Sequence, residues 1–147
     1  MAIYENSDYV YYPKNLMLNS KNTLKHVEVC IVSTHNYVFI IPKRSTGLYL
    51  VMTKITTHQF FDGVSTEEGL ERLIADTTSV KELEKSMIEL LDNDPQYVHL
   101  LSDKSLVKFS SFLGNHSVRM VVDRWNWTGV TIKGKGNGKK FRAFHGK

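Results

Sequence analysis

A chain of 147 residues, 41% hydrophobic and 23% charged, suits one folded domain and excludes a disordered or low-complexity protein. Its one cysteine, Cys30, excludes an intrachain disulfide and any metal cluster built from several cysteines of one chain. Charge is split unevenly: residues 1–103 hold nine basic and fourteen acidic side chains, net −5, whereas residues 104–147 hold ten basic side chains against Asp123 alone, net +9. A basic C-terminal third attracts phosphates, nucleic acid or an acidic protein face.

The N-terminal run Met1-Ala2-Ile3-Tyr4-Glu5 carries no leader pattern, and no apolar run nears the roughly 18 residues that span a bilayer. A soluble, cytoplasmic protein with no membrane partner is therefore expected. Tyr9–Tyr12 reads as an edge strand ended by Pro13. Val27, Val29 and Ile31 alternate with Glu28 and Cys30, and Val38–Ile41 and Leu48–Met52 are short runs of β-formers. Pro42–Gly47 between them has turn composition, which predicts a meander of antiparallel strands. The apolar setting of Cys30 predicts a buried thiol. Thr53–Phe61 is polar and suits either a pocket lining or a strand with an exposed threonine face.

The period then changes. Ser65-Thr66-Glu67-Glu68 is a capping box, followed by Leu70, Leu73 and Ile74 on one helical face. Ser79-Val80-Lys81-Glu82 repeats the signal ahead of Val80, Leu83, Met87, Ile88, Leu90 and Leu91. Asp92-Asn93-Asp94-Pro95 stops this second helix, because the residue before a proline avoids helical geometry. The acidic residues of both helices fall opposite the apolar stripe and are predicted to face water.

Strands return after residue 105. Lys104–Phe112 and Ser117–Val122 flank a turn at Gly114-Asn115-His116. Gly129–Lys133 and Lys139–Phe144 flank Gly134-Lys135-Gly136-Asn137-Gly138, which predicts a hairpin because Asn-Gly is a favoured hairpin pair. The whole predicts one α+β domain over 1–147: strands over about 9–61, helices over about 66–92, strands over about 105–145, and a mostly antiparallel sheet with two central helices packed on one face.

Lys133, Lys135, Lys139, Lys140 and Arg142 crowd this last segment and are the candidate anion-binding residues. Trp125 and Trp127 are candidates for stacking on unpaired bases. The competing explanation is a solvated hairpin whose lysines guard a sheet edge. Gly134-x-Gly136-x-Gly138 matches no nucleotide-binding fingerprint. The six histidines, His26, His35, His58, His99, His116 and His145, have no metal-ligand spacing, and no nucleophile elbow accompanies a serine. No catalytic residue, metal or cofactor is assigned. The preferred reading is a non-catalytic binding protein that holds an anionic partner, nucleic acid or a phosphorylated ligand, through a basic C-terminal β-hairpin. The alternative is a protein-interaction module or inhibitor with an acidic partner or a second copy of itself. A third reading is a small metal-independent nuclease using His116, Arg119, Arg124 or His145.

Overall fold

The computed structural model describes residues 3–19, 22–47, 56–57, 60–95, 97–101, 106–112, 115–121, 127–134 and 136–146, with side chains over 3–17, 27–43, 60–95, 97–101, 128–134 and 136–146. Strands β1 (Tyr9–Asn19), β2 (Asn22–Thr34), β3 (Tyr37–Gly47), β4 (Thr56–Thr57), β5 (Val98–Leu100), β6 (Leu106–Phe112), β7 (Asn115–Val121) and β8 (Trp127–Ile132) join one sheet. Its order is β4-β3-β2-β1-β8-β7-β6, and β5 also pairs with β3. Helices α1 (Thr66–Asp76) and α2 (Val80–Leu90) lie between β4 and β5 in the chain, and α3 (Asn137–Phe144) follows β8. The pairings among these strands are antiparallel, so the chain adopts an α+β fold with a mostly antiparallel sheet.

Alternation along the long strands creates two cores. Val29 and Ile31 of β2 and Val38 and Ile40 of β3 join Val10, Tyr12, Met17, Val130, Ile132 and Phe141 in one buried cluster. Cys30, Val32, Phe39 and Ile41, the intervening positions, join Leu70 and Ile74 of α1 and Leu83, Met87 and Leu91 in the other. Successive strand residues point to opposite faces, so the sheet carries a hydrophobic layer on each side.

Helices α1 and α2 start where their caps predict. Ser65 Oγ accepts from the Glu68 amide at 3.1 Å, and Ser79 Oγ accepts from the Glu82 amide at 3.1 Å. The Glu82 carboxylate reaches one residue further back than a capping box requires, taking the Thr78 hydroxyl at 2.8 Å. Helix α2 closes at Leu91, after which Asp92 and Asn93 both have left-handed backbone, with φ of 54° and 49°.

Gly69 lies in α1 against the Phe61 ring, and a Cβ built there would collide with the ring at Cγ, close to its root. Gly→Ala in an exposed helix gains about 1 kcal/mol. Here Gly69→Ala is expected to cost about 1–3 kcal/mol instead, because overpacking displaces Phe61. Urea denaturation of the variant reads the sign directly, and a gain in stability would contradict this packing.

Three local expectations are corrected. The first is the end of a strand at Pro13. β1 runs on to Asn19 and is an interior strand between β2 and β8, not an edge. Its register jumps from Tyr12↔Ile31 to Asn15↔Val29, so Pro13 and Lys14 together oppose Cys30. A bulge needs no ladder hydrogen bond from the proline, which has no N–H to give. The second is the turn at Pro42–Gly47. β3 continues through it, and the jump from Val29↔Pro42 to Glu28↔Arg44 leaves Lys43 as the extra residue of another bulge. The Leu48–Met52 run lies outside the described residues, as does most of Thr53–Phe61. β5, which completes the β3 edge near Tyr37, has no counterpart among the expected strands.

The third correction concerns the C-terminal hairpin. Lys139–Phe144 is not a strand, and it belongs to α3. Gly134 and Gly136 have φ of +103° and +80°, values that an L-residue rarely adopts. They turn the chain so that Asn137 Nδ2 donates to the Lys133 carbonyl at 3.1 Å and the Asn137 amide donates to the Gly134 carbonyl at 3.2 Å. Gly138 and Phe141 then face inward at helical spacing, Lys139, Lys140 and Ala143 face water, and Gly146 in left-handed conformation ends the turn.

Candidate functional site

The two bulges sit side by side across β2, and both consist of a proline followed by a lysine: Pro13-Lys14 in β1 and Pro42-Lys43 in β3. A bulge breaks the ladder, so its backbone groups need other partners. Asn15, 3% exposed, supplies some of them: its Nδ2 donates to the Tyr12 carbonyl at 2.8 Å and to the Val29 carbonyl at 3.1 Å. The Pro13 carbonyl accepts from Lys43 Nζ at 2.8 Å and from the Cys30 thiol at 3.6 Å. Lys43 also lies 3.4 Å from Glu67 Oε1 of α1, which ties this bulge to the helical layer.

Beside the bulges opens a cavity of about 320 Å³ lined by Lys14, Asn15, Leu16, Glu28, Lys43 and Lys133. Three cations thus converge from β1, β3 and the end of β8, with Glu28 of β2 as the acid among them. Burial pushes the Cys30 thiol up to about 11, although Lys43 beside it works in the opposite direction. Cys30 is therefore a protonated, fully buried thiol at neutral pH and no nucleophile.

The expected anion-binding residues divide. Lys133 is exposed and lines the cavity. Lys139 and Lys140 are exposed on the outer face of α3, away from the cavity lining. Arg142 is half-buried, and its Nε is enclosed without a hydrogen-bond partner. Lys135 and Trp125 lie outside the described residues. Trp127 opens β8 opposite Val121, and its side chain lies outside them too. Lys14, Lys43, Asn15 and Glu28 escaped the sequence reading. Their one signal was the repeated Pro-Lys pair within strand-like runs.

His145, a nuclease candidate, is engaged elsewhere. Its Nε2 lies 2.9 Å from Ser33 Oγ. Ser33 is fully buried, and its hydroxyl lies 2.7 Å from the Tyr37 carbonyl and 3.0 Å from the Thr34 carbonyl. The single hydroxyl proton goes to a carbonyl, so Oγ accepts from the imidazole and no substrate reaches it. The contact fastens α3 to β2. The His145 ring also packs edge-on to Phe141 and Phe144, and His35 stacks on Phe144 at 3.9 Å between ring centres. The side chains of His116 and Arg119 and all of Arg124 lie outside the described residues.

Among the described residues, no cluster of three or more His, Cys, Asp or Glu is placed to hold a metal ion, and no helix is long and apolar enough to cross a membrane. Comparison with protein-family models, with curated proteins and with solved structures gives no match.

Proposed function

We propose that this protein is a non-catalytic binding protein that holds an anionic partner, nucleic acid or a phosphorylated ligand, on its basic C-terminal strand–turn–helix. One observation supports the reading above others. Lys133, Lys139 and Lys140 are exposed, and none has an acidic partner among the described residues. Uncompensated cations along one short segment raise the local concentration of anions and speed their capture. Helix α3 also has no acid in its first turn to neutralise the Gly136 end.

The test is the affinity for a single-stranded RNA 20-mer, read by fluorescence anisotropy across salt concentrations. Three phosphate contacts on a single strand give a log–log salt slope of about −2, so affinity falls about twentyfold between 50 and 200 mM salt. Joint replacement Lys133→Gln, Lys139→Gln and Lys140→Gln removes that slope. Affinity indifferent to salt, or unchanged in the triple variant, rejects the proposal.

A further inference from the structure

We infer that the cavity beside the paired bulges binds a small phosphate monoester carrying hydroxyl groups, a phosphorylated sugar in chemical class. The inference rests on the anion-binding reading, with which it shares Lys133, and it names a ligand and residues that the C-terminal segment alone does not supply. The volume, about 320 Å³, falls at the small end of the roughly 300–1,000 Å³ of ligand pockets. It suits one sugar phosphate and is too small for several residues of a polymer.

Charge argues for the phosphate. Lys14 and Lys133 each lie one residue beyond Asn15↔Ile132, the last register pair of β1 with β8, and both line the cavity. Like charges brought to one cavity repel. Neither lysine has an acidic partner among the described residues to relieve this. A dianion between them does so. Lys43 is held ready from the third side, its side chain only 16% exposed. Its ammonium donates to the Pro13 carbonyl at 2.8 Å and lies 3.4 Å from the Glu67 carboxylate, and an ammonium has three N–H groups to give.

Glu28 argues for the hydroxyls. It lines the same cavity, and a carboxylate accepts hydrogen bonds but gives none. Bare phosphate can donate to it only through its own P–OH, which brings the negative charge up against the carboxylate. A sugar hydroxyl offers the donor, and Leu16 gives the ring an apolar wall. The bulges make the site rigid. Asn15 locks the first through two carbonyls, and Lys43 of the second reaches across to the Pro13 carbonyl of the first, so Lys43 needs little reordering on binding.

Calorimetric titration of the full chain with ribose 5-phosphate, ribose and inorganic phosphate tests this. One-to-one binding of ribose 5-phosphate is expected, with the other two at least about tenfold weaker, since each charged contact carries about one factor of ten. Lys14→Gln and Lys133→Gln each weaken it by about tenfold. Both side chains are exposed, and the melting curve of each variant verifies its fold. Glu28→Gln narrows the preference for ribose 5-phosphate over inorganic phosphate. Salt-dependent RNA binding without saturable ribose 5-phosphate binding overturns the cavity assignment and leaves the broader proposal standing. Absence of both overturns both, and binding indifferent to Lys14→Gln and Lys133→Gln overturns the cavity alone.

Discussion

Phe141→Ala is expected to lower the stability of the whole protein by about 3–5 kcal/mol, the usual cost of emptying a buried phenylalanine site. Phe141 is fully buried in the cluster that also holds Val10, Tyr12, Val29, Ile31, Val38 and Ile40. Its ring meets Tyr12 edge-on at 6.1 Å. No other α3 residue is a fully buried large side chain, so this one ring anchors the element. An eight-residue helix has no stability of its own in water and persists only while it is docked. Truncation of Phe141 therefore removes more than its own contacts. His145 leaves Ser33, Phe144 leaves His35, and one face of the sheet is wetted. Against the roughly 5–15 kcal/mol of a typical domain the loss is large, and the thermal midpoint falls by about 10 °C or more. Lys140→Ala on the exposed face of the same helix changes stability by less than about 0.5 kcal/mol. Equal effects of the two substitutions would mean that α3 is not docked through Phe141.

The elements legible in the sequence are those whose signals are local. Ser65 with Glu68 and Ser79 with Glu82 announce helices within four residues, and the caps are where those residues place them. Pro13 and Pro42 misled for a physical reason. Proline ends a regular ladder, but a bulge lets the strand continue when distant groups satisfy the freed carbonyls. At the Pro13 bulge Asn15 takes the nearby Tyr12 carbonyl and the Val29 carbonyl across the pair, and Lys43 reaches the Pro13 carbonyl from β3; the last two partnerships cannot be read from neighbouring residues. Asn137-Gly138 misled likewise: the same pair that favours a hairpin begins α3, because Asn137 binds back to Lys133 and Gly138 is buried. The strand reading of Lys139–Phe144 missed the Gly138–Phe141 spacing, and Lys, Ala and Arg are good helix formers. Within the candidate site, the charge imbalance pointed to Lys133. Lys14 and Lys43 belong to the acidic portion of the chain, and only the pairing of β1 with β8 and the two bulges bring them to it.

Alkali is expected to unfold this protein steeply, beginning near pH 9, because two buried acids, Cys30 and Tyr12, and the half-buried Tyr11 are held in protonated form in β1 and β2. Burial pushes Cys30 from 9.0 up to about 11 and Tyr12 from 10.0 up to about 12, with Glu5 adding to the effect on Tyr12. Tyr11 is raised further still, by burial first and by the adjacent Cys30 thiol second. Each folded-state value exceeds the unfolded one, so the stabilisation is complete below the unfolded value and is lost as pH rises toward the folded one. Between those limits the unfolded chain binds fewer protons, and each group removes about 1.4 kcal/mol per pH unit. Cys30 acts from pH 9 to about 11 and the two tyrosines from pH 10, giving a combined slope of at most about 4 kcal/mol per pH unit between pH 10 and 11, less as water screens the partly exposed Tyr11. Few domains survive more than one or two such units. Tyr12→Phe isolates one of the three. The Tyr12 hydroxyl is buried without a hydrogen-bond partner, so its removal stabilises the protein by about 1–3 kcal/mol at neutral pH while the ring still packs on Phe141. The advantage widens by about 1.4 kcal/mol per pH unit between pH 10 and 12, since the variant no longer loses a proton there. Denaturant titrations at pH 7, 10 and 11 measure both effects. A variant less stable than the parent at pH 7, or an advantage that does not grow with pH, would place the Tyr12 hydroxyl in contact with water or a partner rather than in the core.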